Sequence, residues 1–205
     1  MQRLFWKLDL IAMVESRVAA DPVPAPGPAE WPGLTAGNAE YRRITVSGRY
    51  GPDKDTRVKA VTARGPGFWV MTPLRSDAGW LVLVNRGFVP DGAAFDAPPA
   101  GPVSVSGLLR LSQPKGAFLR RNDPQAGRWY SRDTAAIAAS LGLSAPAPYF
   151  IDAEAGPDAK ALPLGGMTVV SFRNTHLVYA ATWFTLAALW AGWLIYLWRG
   201  GGSAD

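Results

Sequence analysis

The stretch that decides the fold is GFWVMTPLRSDAGWLVLVNRGFVP, which runs from Gly67 to Pro90. Its two apolar segments, GFWVMTPL and WLVLVNRGFVP, are rich in β-branched and aromatic residues, the residue types that favour strands. The SDAG sequence between them is a turn signal. The pattern therefore predicts two neighbouring strands joined by a short turn.

Similar short segments lie on both sides of this pair. YRRITVSGRY alternates Ile44, Val46 and Gly48 with polar residues, and RVKAVTAR, PVSVSGLLRLS, PYFID and MTVVSF are further strand candidates. RDTAAIAASLGL predicts a short helix that Asp133 or Thr134 caps and Gly142 ends. Because each strand is bounded by Gly or Pro, we expect an antiparallel β-rich, barrel-like domain over residues 41–172.

Two different segments precede the β region. Residues 1–20 predict an amphipathic helix, since Leu4, Leu8, Ile11, Val14 and Val18 repeat at steps of three and four. Residues 21–40 contain DPVPAPGPAEWPG, in which prolines remove backbone donors and favour extended structure. We interpret this Pro-rich stretch as a linker or surface arm, with spacing as the commoner role.

The C-terminal region predicts a membrane helix. Residues 177–198, LVYAATWFTLAALWAGWLIYLW, carry no charge, and a helix of this length measures about 33 Å, enough to cross a hydrocarbon core of about 30 Å. Tyr and Trp lie near both of its ends, as at membrane interfaces. Residues 199–205 form a short tail. The fold class is thus α+β and membrane-anchored.

Composition excludes several kinds of site. There is no cysteine, and the basic residues are scattered although the net charge is +5. Disulfides, thiolate sites and a nucleic-acid surface are therefore not expected. We place Asp53, Asp55, Asp152 and Glu154 in turn-like, solvated loops. No catalytic motif is present, so the chain is not expected to be an enzyme.

The single histidine, His176, lies where the membrane-length segment begins. An imidazole is a common axial ligand of haem iron, and Arg173 just outside could pair with a haem propionate. A different interpretation is that His176 merely occupies the first helical turn, capped by Asn174 or Thr175. The residues alone leave both interpretations open.

Long motifs resemble the Surfeit locus protein 1 family, the assembly factors for haem-copper cytochrome c oxidase. The resemblance is carried by PGFWVMTPLRSDAGWLVLVNRGFVP (residues 66–90) and NTHLVYAATWF (residues 174–184). RLFWKLDLI near the start and GLLRLSQPKGAFLRRNDPQAGRWYSRD (residues 107–133) also fit.

The resemblance implies a role in supplying haem a to the oxidase core subunit, with haem a synthesis machinery as a further partner. It implicates His176 as the iron ligand, and Tyr179 and Trp183 match the same motif. Asn85, Arg86 and Gly87 match the other motif and are expected to be structural, with Gly87 providing a backbone geometry that glycine tolerates best.

The resemblance also implies location. The family has two membrane helices around a soluble domain on the periplasmic side of the inner (plasma) membrane. The printed sequence starts where the first helix would end, so we expect the natural chain to be longer. Two other functions stay open: a scaffold that holds the oxidase core subunit without touching haem, and a membrane-bound haem-modifying enzyme.

Overall fold

The computed structural model describes residues 2–51, 54–114, 120–158, 160–168 and 176–200, with the backbone alone for residues 2–10, 176–180 and 200. It divides into two units, residues 1–170 and 171–205. The first unit contains α1 (Gln2–Ala19), β1 (Val23–Pro24), α2 (Ala36–Ala39), β2 (Arg43–Tyr50), β3 (Thr56–Thr62), β4 (Gly65–Ser76), β5 (Leu81–Pro90), β6 (Pro102–Leu111), α3 (Thr134–Ser140) and β7 (Pro146–Ala153). The second contains α4 (His176–Gly200).

Five strands form a closed barrel in the order β2, β6, β7, β5 and β4, and β4 pairs again with β2. The closing contact joins Gly48–Tyr50 to Leu74–Ser76. A Cβ at Gly48 would lie 2.2 Å from the Arg75 carbonyl oxygen, so only glycine permits this close approach. The predicted barrel-like domain is confirmed.

One strand pairing departs from a purely antiparallel barrel. PYFID lies within β7, which is antiparallel to β6 but parallel to β5. β7 occupies the space between two strands that already run in opposite directions, so one of its two pairings has to be parallel. β3 lies outside the barrel as the partner of β4.

Apolar side chains pack on both faces of the barrel wall. The larger cluster is formed by residues that alternate along the barrel strands, among them Ile44, Leu74, Val84 and Ile151. A second buried cluster joins the strands to α3 and includes Phe150, Ile137 and Trp129. Asp133 caps α3 by accepting from the Ala136 backbone N–H at 3.1 Å. Gly142 follows α3 in the left-handed conformation, with φ of +68°.

The Pro-rich arm lies along the barrel. Val23 and Pro24 pair with β2, and the Ala25 N–H donates to the Thr45 carbonyl at 2.9 Å. The hydroxyl of buried Tyr149 donates to the Pro26 carbonyl at 2.8 Å. The extended proline-rich backbone forms a short edge strand on the barrel, which fits a surface arm.

The described part of the second unit is one long helix, α4. Within it, Ala181–Arg199 has a mean hydropathy of 1.3, and none of this segment is buried in the structure. Its length and composition are sufficient to cross a membrane. The MTVVSF strand prediction has no support at Met167 and Thr168, which have no regular structure, and residues 169–172 lie outside the described residues.

Candidate functional site

Three of the residues predicted to bind haem, His176, Tyr179 and Trp183, lie within the first eight residues of α4. His176 is its first residue, and Tyr179 and Trp183 follow at spacings of three and seven, which place all three positions on one helical face. Trp183 is 62% exposed. The side chains of His176 and Tyr179, and all of Arg173, lie outside the described residues. Haem binding by these residues therefore stays a prediction.

The Asn85-Arg86-Gly87 motif forms a β-bulge. Val70 pairs with Gly87 and Met71 with Asn85, so Arg86 is an extra residue in β5. A bulge redirects side chains locally. Here Arg86 Nη1 lies 3.7 Å from Asp55 Oδ2, while Nη2 donates to the Asp96 carbonyl at 2.8 Å. The motif therefore has a structural role in the barrel wall.

Asn85, within this bulge, is hydrogen-bonded to a buried carboxylate, that of Asp152. Its Nδ2 donates to Asp152 Oδ1 at 2.7 Å, and Arg132 Nη1 donates to the same oxygen at 3.2 Å. Asp152 Oδ2 accepts from Arg110 Nη1 at 3.3 Å and from the Thr168 hydroxyl at 2.9 Å. Four donors match the acceptor capacity of one carboxylate. We call Asn85, Arg110, Arg132, Asp152 and Thr168 the Asp152 network.

A second carboxylate, Glu40, balances the charge of this network. Glu40 accepts from Arg110 Nε at 2.8 Å, so two guanidinium groups face two carboxylates. Burial lowers the pKa of Arg132, and Asp152 acts against that effect. Burial also acts to lower the pKa of Arg110, but the charges of Asp152 and Glu40 outweigh it and leave that pKa raised. The network is a structural ion cluster with every charge paired.

The same motif holds residues 160–168, which we call the strap. Phe88 and Leu164 exchange two backbone hydrogen bonds of 2.9 Å, and the Gly166 N–H donates to Ala153. Gly87 has φ of +138°, and a Cβ there would lie 2.2 Å from the Leu164 carbonyl oxygen. The predicted need for glycine at this position is therefore confirmed. Thr168, bonded to Asp152, ends the strap eight positions before His176.

The prediction of solvated carboxylates is wrong for Asp152. Asp152 is 4% exposed on a barrel strand, not in a solvated loop. Asp55 precedes β3 and accepts from the Thr72 hydroxyl, with Arg86 nearby. Glu154 forms a half-exposed ion pair with Arg43, and Asp53 lies outside the described residues. Strand pairing buries Asp152, and the sequence signal for this was its alternation with Phe150 inside PYFIDA.

Other members of the Asp152 network were missed by sequence reasoning. Nothing in the sequence distinguished Arg110 and Arg132 from ordinary surface cations. In the structure, the guanidinium carbon of Arg110 lies 4.5 Å from the centre of the Tyr41 ring, and that of Arg132 lies 4.7 Å from the centre of the Phe150 ring. These contacts join residues far apart in the chain. Among the described residues, no three His, Cys, Asp or Glu side chains are grouped so that they could hold a metal ion.

The fold and these sites define a class of protein with a small closed β-barrel, a strap held by a buried ion network, and a helix that can cross a membrane. Comparison with known families gives the particular one: the chain belongs to the SURF1 family, whose model matches residues 1–188. The resemblance noted in the sequence is thereby confirmed.

Individual relatives agree with this assignment. Surfeit locus protein 1 of Rattus norvegicus is 35% identical over 218 residues, covering 96% of this chain and 68% of the relative. The Homo sapiens protein of the same name is 35% identical over 219 residues, covering 96% and 69%. A SURF1-like protein of Monosiga brevicollis is 32% identical, covering 96% and 80%. The similarity thus spans both the barrel and α4.

Proposed function

We propose that this chain is an assembly factor for cytochrome c oxidase that binds haem a and passes it to the oxidase core subunit. Membership of the SURF1 family supports the assembly role. The observation that carries the haem part is the position of the single histidine, His176, as the first residue of the membrane-length helix α4.

In this proposal haem a is cargo, held by one axial bond. His176 supplies the imidazole nitrogen to the iron, and an iron held by one exchangeable protein ligand can be released to an acceptor. Tyr179 and Trp183, on the same helical face, flank the macrocycle. Arg173 pairs with a propionate through a charge-assisted hydrogen bond. The protein binds and releases, and it needs no catalytic group of its own.

The barrel has a supporting role. The strap is fixed to β5 and β7 as far as Thr168, which stands eight positions before His176, the first residue of α4. We place the chain in the inner (plasma) membrane, with the barrel on the periplasmic side. Haem a synthesis machinery would supply the cargo, and the oxidase core subunit would receive it.

A scaffold without haem is the second candidate, and one feature of α4 favours it. Ala181, Thr185, Ala188 and Gly192 are small residues at spacings of four, three and four. Such a stripe lets helices approach closely within a membrane. Residues that bind a membrane partner would lie on this stripe, and His176 would then be only a residue of the first turn.

An absorption spectrum separates the two candidates. The full chain is purified in detergent from cells that also make haem a, as wild type, His176→Gly and Trp198→Ala. Trp198 is an exposed aromatic about 33 Å along the helix from His176, so its replacement is a matched control.

We expect a Soret band in the wild type and in Trp198→Ala, and its loss in His176→Gly. Added imidazole should restore the band to His176→Gly, because it replaces the missing ligand without altering the chain. Equal haem content in His176→Gly and wild type would reject haem ligation by His176 and leave the scaffold.

A further inference from the structure

The exposed side of β3 carries cations beside an apolar residue. Arg57, Lys59 and Val61 alternate along the strand and point to solvent, and Val61 is 83% exposed. Residues 127–130 run along the strand edge, where the Lys59 N–H donates to the Trp129 carbonyl at 2.8 Å. A groove of about 290 Å³ lies here, lined by Arg57, Lys59, Phe68 and residues 127–130.

Aromatic rings hold several of these cations. Arg57 lies 5.0 Å from the Phe95 ring centre, Lys59 lies 4.6 Å from Phe68, and Arg120 lies 5.3 Å from Tyr130. A ring face orients a cation without consuming its N–H donors. The cations therefore remain able to bind an anion. We call this surface the β3 face; its members are Arg57, Lys59, Val61, Phe68, Arg120, Arg128 and Tyr130.

Positive charge on the β3 face is only partly compensated. Lys59 pairs with Asp91 at 3.1 Å and Arg128 with Asp123 at 2.6 Å, and both pairs are exposed to solvent. Within the described part of the chain, no carboxylate oxygen lies within 4.0 Å of Arg57 or Arg120. Exposed ion pairs contribute little and exchange readily with other partners. Four cations thus face two weakly held carboxylates.

We propose that the β3 face binds the anionic phospholipid headgroups of a bilayer. Cations combined with aromatic rings and an exposed apolar residue are typical of surfaces that bind the membrane interface. An acidic protein segment would engage the cations but gives no reason for Val61 to be so exposed beside them.

Anchoring of the chain in a membrane by α4 favours lipid headgroups over other anions as the ligand of the β3 face. α4 can cross a membrane, and only eight peptide steps, at most about 28 Å, separate Thr168 on the barrel from His176. A lipid surface is therefore at high effective concentration, so a weak headgroup contact suffices. This inference needs α4 as an anchor and does not depend on haem a.

The absence of cysteine allows a clean test on the full chain. Ala63 and Ala78 are exposed residues in the turns at the two ends of β4, a strand of 12 residues with a length of about 36 Å. Ala63 adjoins the β3 face, and Ala78 does not. Single Ala63→Cys and Ala78→Cys variants are labelled with an environment-sensitive fluorophore and placed in nanodiscs of phosphatidylcholine, with or without phosphatidylglycerol.

We expect phosphatidylglycerol to shift the emission of the fluorophore in Ala63→Cys to shorter wavelength and to make it accessible to a lipid-bound quencher. The emission and quenching of the fluorophore in Ala78→Cys should not change. High salt should reverse the shift. Arg57→Gln with Lys59→Gln should lower the docked-to-undocked ratio roughly twenty-five-fold, because each cation contributes about fivefold. Arg57→Lys with Lys59→Arg should keep the wild-type ratio, and circular dichroism confirms that each variant is folded.

Equal emission of the Ala63→Cys probe in both lipids, or equal responses at both probe positions, would overturn the proposal. The proposal would also be overturned if polyglutamate shifted the emission of the Ala63→Cys probe in pure phosphatidylcholine while phosphatidylglycerol did not. The β3 face would then bind an acidic protein segment.

Discussion

Asn85 donates a 2.7 Å hydrogen bond to Asp152, and the two residues stand 67 positions apart in the chain. The bond joins β5 to β7, the one parallel pairing of the barrel. Asp152 then reaches Thr168 on the strap, so a barrel strand, the bulge motif and the connection toward α4 share one buried carboxylate. The integrity of this contact is the basis of the first prediction.

Replacing Asp152 by Asn should strongly destabilise the barrel. Arg110 and Arg132 would keep their buried charges but lose the carboxylate between them, and breaking one side of a buried pair costs about 3–5 kcal/mol. The free energy of unfolding, from denaturant titration of the detergent-solubilised full chain, measures the effect. Glu154→Gln is the control, because its pair with Arg43 is half exposed. A loss in Glu154→Gln as large as that in Asp152→Asn would contradict the assignment.

Gly87→Ala should detach the strap from the barrel. The new Cβ would meet the Leu164 carbonyl, and the backbone would be held at positive φ. Gly79→Ala is matched, because Gly79 also has positive φ but a Cβ added there would meet no atom within 4 Å.

We expect Gly79→Ala to lose about 1–2 kcal/mol from strain alone, and Gly87→Ala to lose more. Hydrogen exchange should accelerate at the Phe88 and Leu164 amides in Gly87→Ala only. Unchanged exchange at these two amides would show that the strap tolerates a side chain there.

The ionisation of Tyr50 should lower the stability of the barrel at alkaline pH. Burial raises its pKa to about 12 from 10.0, with Asp55 adding to the rise and Arg86 opposing it. Between these values the unfolded chain loses the phenolic proton while the folded chain keeps it, so stability falls as pH rises from about 10 to 12.

The contribution of Tyr50 is up to about 3 kcal/mol. Denaturation of wild type and Tyr50→Phe across this pH range should give a shallower decline for Tyr50→Phe. Parallel declines in the two proteins would show that Tyr50 is not the titrating group.

Sequence patterns were sufficient for most of the fold because they report local preferences. Alternation and strand-favouring residue types predicted β2 through β7, Asp133 and Gly142 marked the ends of α3, and the uncharged run predicted α4. Barrel closure was suggested by many short strands, but the β2–β4 contact that closes it depends on Gly48. The parallel β5–β7 pairing depends on long-range topology that no local pattern encodes.

Among the candidate site residues, the sequence singled out only those that are unique or lie in a long motif. His176 stood out as the sole histidine, and its role stays a prediction, whereas Gly87 stood out through its motif. Asp152 did not, because a carboxylate that is stabilised by Arg110, Arg132 and Asn85 gains its partners only after folding. The hydrogen bond from Tyr149 to the Pro26 carbonyl, which fixes the Pro-rich arm on the barrel, likewise joins residues far apart in the chain and forms only on folding.

The most direct test of the central claim is the haem a content of the oxidase core subunit in cells that lack this chain and receive a variant in its place. Wild type and Trp198→Ala should restore the haem a content, and His176→Ala, produced at an equal level, should leave the subunit without haem a. Full restoration by His176→Ala would contradict transfer of haem a through this histidine.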